Sequence, residues 1–323
     1  MFRTFSMSFF RATVYLVGLA TFFIGTACGQ TYPAAPVRII VPYPPGGAND
    51  VLARIASQKF QEVMSQPFLV EHRPGANGNI AAAQVEKASP DGQTLILGNL
   101  ALLVHNPLIY PKPGYDPRSF VPIGQMAESI MLVKVPAQSP FRSLRELVDF
   151  AKANPGKLNF GTSGNGSAVH LSSALVMDAL GIQGTHIPMS GGAQVTIELI
   201  AGRIDLVIDP LITAGGKARI LAVVDDKRKA NLADVPAITE LGYRNMNANS
   251  WLGLFAPRGV PQEVIARLNG EIRKALSQAD TREKIALTGL EARSGTPEEL
   301  AERWAESERV WTPLIRRLGI RME

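Results

Sequence analysis

The chain has 323 residues, 46% of them apolar and 19% charged, a composition that excludes a disordered or low-complexity protein. That length is enough for two bodies with separate cores. The formal charge is +5, and losing Arg3 and Arg11 with an N-terminal leader removes two positive charges to leave +3, too little to argue for a nucleic-acid partner.

The leader is the first element. Arg3 and Arg11 precede an apolar run through Val14, Leu16, Val17, Leu19, Phe22, Phe23 and Ile24, followed by the small residues Gly25, Thr26 and Ala27. This reads as an export signal over residues 1–29, because the apolar core is short for a bilayer span. Cys28 is the single cysteine, so no intrachain disulfide is expected. Cleavage after Gly29 discards it, whereas cleavage after Ala27 makes it a lipidated first residue. Gly25 is a poor match for the branched residue usual three positions before a lipidated cysteine. The expected location is the periplasm, with a lipid anchor through Cys28 left open.

The stretch from Val37 to Met64 organises the rest. Val37, Ile39, Ile40 and Val41 form a β-branched run suited to a buried parallel strand. Tyr43, Pro44, Pro45, Gly46 and Gly47 make a glycine loop, and Asn49 or Asp50 is the expected N-cap of a helix carrying Leu52, Ile55, Ala56, Phe60 and Val63 on one face. A glycine loop lets a ligand approach the backbone, and a first helical turn offers unpaired N–H groups at a positive dipole end. Together they favour a carboxylate or phosphate. A tight strand-to-helix turn without ligand is the alternative. The loop is neither a Walker A motif nor a dinucleotide G-x-G-x-x-G.

Further strands are expected at Phe68–Val70 and Thr94–Leu97, with a helix from Asn79 to Ala88 between them. Three strand–helix steps imply a parallel sheet with ligands at the strands' carboxyl ends. Asn106 to Pro122 reads as an irregular connection, and Ile130 to Val135 as a strand crossing into a second lobe. Ser143 with Glu146 is a capping box for a helix to Ala153. Leu158 to Phe160, the second glycine loop Gly161–Ser167 (GTSGNGS) and a helix ending near Gly181 repeat the opening plan. His186 to Met189, Ser190 to Gly192 and a helix from Ala193 to Ile200 repeat it again. Strands follow at Ile204–Ile208, Ile220–Val224 and Trp251–Phe255. Helices from Pro261 to Gln278, Asp280 to Thr288, and Pro297 to Leu318 complete the chain, the last capped by Thr296 with Glu299. The expected fold class is α/β, with two Rossmann-like lobes around a cleft. Lobe 1 is residues 30–132 and 255–323 and lobe 2 is 133–254, with crossings near Val133 to Pro136 and Leu254 to Pro257.

PVRIIVPYPPGGANDVLAR, VEHRPGANGNIAAAQVEKASPDGQTLILGN, GTSGNGSAVHL, GRIDLVIDPL and WLGLFAPRGVPQEVIARLN appear in the order found in the substrate-binding proteins of tripartite tricarboxylate transporters. The chain resembles this Bug family, related to TctC, over nearly its whole mature length. The resemblance implies a periplasmic binding protein of the Venus flytrap type: a monomer that closes on a small organic anion, a carboxylate or dicarboxylate, and delivers it to membrane components of such a transporter.

Carried over by position, the resemblance assigns Tyr43, Gly46, Gly47, Asn49, Asp50, Gly98 and Asn99 to the ligand from the first lobe. From the second it assigns Thr162, Ser163, Asn165, Ser167, His170 and Asp209. Local turn and cap bonding is the alternative for the hydroxyl and amide residues, and a structural hydrogen bond for His170. Asp209 would accept from a ligand amine or hydroxyl, or from a water. Where relatives have an aromatic residue and then Lys or Arg before the paired glycines, this chain has Met189 and Ser190.

An exported hydrolase using Ser163 is the rival class, since Gly161-Thr-Ser163-Gly resembles a nucleophile elbow, but Asn165 stands at the last glycine's place. No histidine is brought to Ser163 by sequence logic, so no catalytic residue is expected. No cofactor is expected, and no metal site, since His72, His105, His170 and His186 are scattered. A ligand-sensing receptor without its own transporter is a further alternative.

Overall fold

The computed structural model describes residues 32–210, 217–244, 246 and 248–322, and the expected leader with Cys28 lies outside them. From Ala35 onward the strands are β1 (Val37–Val41), β2 (Phe68–His72), β3 (Thr94–Asn99), β4 (Phe120–Ser129), β5 (Leu132–Pro136), β6 (Leu158–Thr162), β7 (Gly184–Pro188), β8 (Leu206–Asp209), β9 (Ala218–Val223), β10 (Ser250–Pro257) and β11 (Leu290–Ala292). They form two sheets, ordered β11-β4-β10-β3-β1-β2 and β7-β6-β8-β5-β9. In the first, β1 pairs in parallel with β2 and β3, while β10 runs antiparallel between β3 and β4. In the second, β6 pairs in parallel with β7 and β8, and β5 is antiparallel to β8 and β9. The expected α/β class is thus built as two lobes, one on each mixed sheet.

The helices are α1 (Ala48–Met64), α2 (Asn79–Glu86), α3 (Asn106–Ile109), α4 (Leu144–Ala153), α5 (Ala168–Leu180), α6 (Gly192–Ile200), α7 (Gln262–Ser277), α8 (Ala279–Ala286) and α9 (Pro297–Leu318). Among the described residues, no helix is long and apolar enough to cross a membrane. Leu52, Ile55, Ala56 and Phe60 of α1 are buried as the helical spacing requires, while Val63 is half exposed. The cap expected at Asn49 or Asp50 is instead Gly47, with no side-chain cap. Asp50 sits in the first turn and accepts a bond from Gly46 N at 3.0 Å, so the acid satisfies a loop donor from inside the helix. Pro261 is likewise the N-cap of α7 rather than a residue of its first turn. The box at Thr296 forms, its hydroxyl accepting from Glu299 N at 3.2 Å and its N–H donating to the Glu299 carboxylate at 2.7 Å. At Ser143 only the cap forms, the hydroxyl accepting from Glu146 N at 3.2 Å, while the Glu146 carboxylate turns back one residue further to Arg142 N at 2.6 Å.

The chain leaves the first sheet after Ser129 and enters the second at Leu132, returning between Val223 and Ser250. The crossings expected at Val133–Pro136 and Leu254–Pro257 fall inside β5 and β10, because the central strand β4 lies in a stretch read partly as irregular. Its Gln125, Glu128 and Ser129 are buried polar residues, which hides the apolar pattern of a strand. Glu128 accepts from Arg293 at 3.1 Å and from Arg303 of α9, which makes burial of its charge tolerable. Asn249 ties the two crossings together, accepting from Met131 N and donating to Asp225, each at 3.1 Å. Arg317 of α9 also makes a bidentate pair with Asp178 of α5, at 2.7 and 2.6 Å, joining helices that flank different sheets.

Candidate functional site

The first glycine loop begins where β1 ends. Val41 is fully buried, Pro42 and Tyr43 turn the chain, and Gly46 has φ +89°, a left-handed conformation open to glycine at little cost. A side chain added at Gly46 or Gly47 would meet nothing within 4 Å, so the loop borders open space rather than packed neighbours. Gly47 then starts α1 without a capping side chain, which leaves first-turn N–H groups pointing out of the helix end. Asn49 presents a buried side-chain oxygen with no protein donor.

Asp50 faces inward. Its carboxylate takes Gly46 N at 3.0 Å, His72 Nε2 at 2.9 Å and Arg54 Nε at 2.9 Å. Burial opposes its charge, but these partners outweigh burial and hold its pKa below the ordinary value. Tyr43 exchanges hydrogen bonds with Asn99: the amide nitrogen lies 3.0 Å from the phenol oxygen, and the amide oxygen lies 3.3 Å from it. The same amide oxygen accepts from Leu102 N at 2.9 Å, so the ends of β1 and β3 are fastened to one another. Burial pushes the Tyr43 phenol up to about 12, so it is a neutral hydroxyl at physiological pH. Gly98 has a packing reason: a Cβ there would stand 2.7 Å from the Phe255 ring.

The second glycine loop leaves β6 at Thr162, with Gly164 at φ +119° and Gly166 at φ +68°. Ser163 is half-buried and Asn165 exposed. Ser167 caps α5, its hydroxyl accepting from His170 N at 3.1 Å. His170 Nδ1 accepts from Gly166 N at 3.1 Å, and its ring stacks on His186 with centroids 4.0 Å apart. His186 Nε2 is 2.6 Å from the Thr162 hydroxyl. Among the described residues these two histidines are engaged with Thr162 and Gly166 rather than with Ser163. Asp209, at the end of β8, is buried in a 2.5 Å pair with Lys134 of β5.

The loop Arg73–Gly78, read from the sequence only as the lead into α2 and not as part of the site, brings the loops together. In Gly75-Ala-Asn-Gly78 all four residues have positive φ, from +45° at Ala76 to +134° at Gly75. Asn77 Nδ2 reaches Asn106 Oδ1 at 2.8 Å and the Gly166 carbonyl at 3.5 Å, and Pro42 lies against Gly78. Met322 and Ile109 lie beside Gly166 as well. The paired glycines in RPGANG were the visible signal, since two left-handed residues around an asparagine need them. Lys134 carried no such signal, because nothing in a short apolar strand announces a buried cross-strand partner. Among the described residues no cluster of three or more His, Cys, Asp or Glu could hold a metal ion.

The elements thus converge as loops at carboxyl ends of parallel strands in two facing sheets, furnished with N–H groups, amides and hydroxyls. Comparison with known proteins agrees. Residues 52–320 match the model of the "Tripartite tricarboxylate transporter family receptor". The chain is 36% identical to a UPF0065 protein from the tcbD-tcbE intergenic region of Pseudomonas sp. (strain P51), covering 88% of this chain and 87% of that protein. It is similar to an R. palustris protein solved with adipate, at TM-score 0.79 and 33% identity over 90% of this chain and 99% of that one. It is also similar to MatC from Rhodopseudomonas palustris with bound malate, at TM-score 0.76 and 29% identity over 88% of this chain and 100% of that one.

Proposed function

The chain belongs to the family of tripartite tricarboxylate transporter receptors, and from that premise we propose that it captures one small carboxylate or dicarboxylate between its lobes. The open space beside Gly46 and Gly47, against the uncapped first turn of α1, is the observation that carries the reading. A helix N-terminus with glycine at its approach holds an anion through backbone N–H groups and the dipole, without a lysine or arginine.

In this reading one carboxylate lies on the first turn of α1, with Gly46, Gly47, Asn49 and the Tyr43–Asn99 pair around it. Thr162, Ser163 and Asn165 meet the distal end from the second lobe. Asp50, Gly98, Ser167 and His170 position the loops. Asp209 acts through Lys134 on the floor of the second lobe. Malate and adipate are the anions in two similar structures, which supports the carboxylate class for this chain and leaves chain length to the loops. Met189 and Ser190, at the third loop, supply no cation. We further propose export to the periplasm, supported by the leader, and delivery as a monomer to the membrane components of a tripartite tricarboxylate transporter, supported by the family. The anion is released unchanged.

Thermal denaturation with a series of four- to eight-carbon dicarboxylates tests this. A ligand at a hundredfold its Kd adds about 2.7 kcal/mol to a fold that alone binds it, which raises Tm on the order of 5 °C. A series that shifts nothing, malate and adipate included, argues against the receptor reading.

A further inference from the structure

Two histidines from different elements hold the second glycine loop at both of its strained positions. His186 of β7 lies between Phe160, at 5.0 Å and 21°, and His170 of α5, at 4.0 Å and 8°, so the three rings form one stack. Gly166, at φ +68°, donates its N–H to His170 Nδ1 at 3.1 Å. That bond fixes the tautomer: Nδ1 is the unprotonated nitrogen, and the ring proton is on Nε2. The Thr162 hydroxyl faces the Gly164 carbonyl at 3.4 Å, with Gly164 at φ +119°, and in that orientation His186 Nε2 donates to it across 2.6 Å. Each ring therefore grips the loop, one through a donor and one through an acceptor.

We propose that the His170–His186 stack fastens the loop Gly161–Ser167 in its binding shape, and that protonation of His170 undoes the fastening. A proton on Nδ1 sets an N–H against the Gly166 N–H, replacing an attraction with a conflict of two donors. The loop then loses the bond that holds its second left-handed residue. His186 keeps its bond to Thr162 when protonated, so His170 is the responsive member. Among the described residues His186 is the titratable group that acts on His170, and it makes a charge there more costly. Burial is the larger cause, and together they push His170 down to about 4, while burial lowers His186 as well. Above that value the His170 ring is neutral and the loop is held. His170 is thus a positioning residue for the site. This inference rests on the receptor reading only in taking Gly161–Ser167 as part of the site.

The test uses the ligand-free mature protein, isotopically labelled, followed by NMR from pH 7 to pH 3.5. The Gly166 amide resonance is expected to move with the His170 ring titration. In His170→Asn, whose amide oxygen stands at the place of Nδ1 and does not titrate, the Gly166 amide is expected to stay constant. In His186→Phe, which keeps the stack without the second charge, the His170 midpoint is expected to rise. Amide exchange at pH 7 gives a reading that acid unfolding does not reach: Gly166 protection falls tenfold or more in His170→Phe and survives in His170→Asn. A Gly166 amide indifferent to His170 protonation, or equal protection in both variants, overturns the proposal. None of these readings needs a ligand, so a carboxylate series that binds nothing would strike the receptor reading and leave this one to its own result.

Discussion

His105 is fully buried against the edge of the Trp311 indole, ring centroids 4.4 Å apart, and neither of its ring nitrogens reaches a protein partner. Burial alone pushes its pKa down to about 3. The unfolded chain takes up that proton near pH 6.5, so the folded value lies below the unfolded one. Its sign follows: stability is full above about pH 6.5 and falls as the pH drops toward the folded value. At about 1.4 kcal/mol per pH unit, this group removes on the order of 2 kcal/mol between pH 7 and pH 5. His105→Phe keeps the ring, removes two unpaired nitrogens and should flatten that loss. It is expected to stabilise by about 1 kcal/mol at pH 7. Chemical denaturation of both forms at the two pH values checks it, and an equal loss in each would clear His105 of the acid sensitivity.

At the scale of elements, the glycine loop and α1 carry the next expectation. Gly47 has φ −89° and ψ 175°, which a β-branched residue adopts readily, and a Cβ there meets nothing. Gly47→Val should leave Tm within about 1–2 °C of the parent, as befits a surface change of about half a kcal/mol. It should nonetheless fill the space in which the anion would lie. A large drop in Tm would instead make Gly47 a packing residue. The same contrast explains what the sequence disclosed. α4 and α9 were legible because an apolar stripe and a cap announce a helix, and α1 because its stripe follows a glycine pair. β4 was not, because Glu128 is buried in it on the strength of distant partners such as Arg303, and Gln125 beside it on a bond to the Ala127 carbonyl. Within the site, Gly46 and Gly47 could be read from glycine alone. The inward turn of Asp50 toward His72, and of Asp209 toward Lys134, depends on side chains far off in the chain, which no local pattern encodes.

Across the whole molecule, the sheet order puts the crossing strands between two unlike faces. β3 and β1, with their loops, lie on one side of the crossing strands β4 and β10, and β11 lies on the other. On that far side Lys229 bridges Asp225 at 3.0 Å and Glu291 of β11 at 3.1 Å, beside a recess of about 390 Å³ lined from both sheets by Ile130, Leu132, Leu232 and Leu290. If the lobes close on an anion by rotating about the crossing strands, closing the loop face would open this one and the Lys229–Glu291 pair would oppose it. Lys229→Gln removes a partly exposed pair worth about 0.2–1 kcal/mol. Affinity for the captured anion is expected to rise about twofold to fivefold, with a smaller radius of gyration in solution scattering; weaker binding would place the bridge on the closed side instead.

The most direct test is native mass spectrometry of the mature protein, incubated with an equimolar mixture of four- to eight-carbon dicarboxylates and compared with Gly47→Val. The expected result is one adduct of a single dicarboxylate mass per chain, released with its mass unchanged, and no adduct on the variant. A parent that carries none, an adduct equally present on Gly47→Val, or a released molecule of altered mass would contradict capture of an intact anion at the glycine loop.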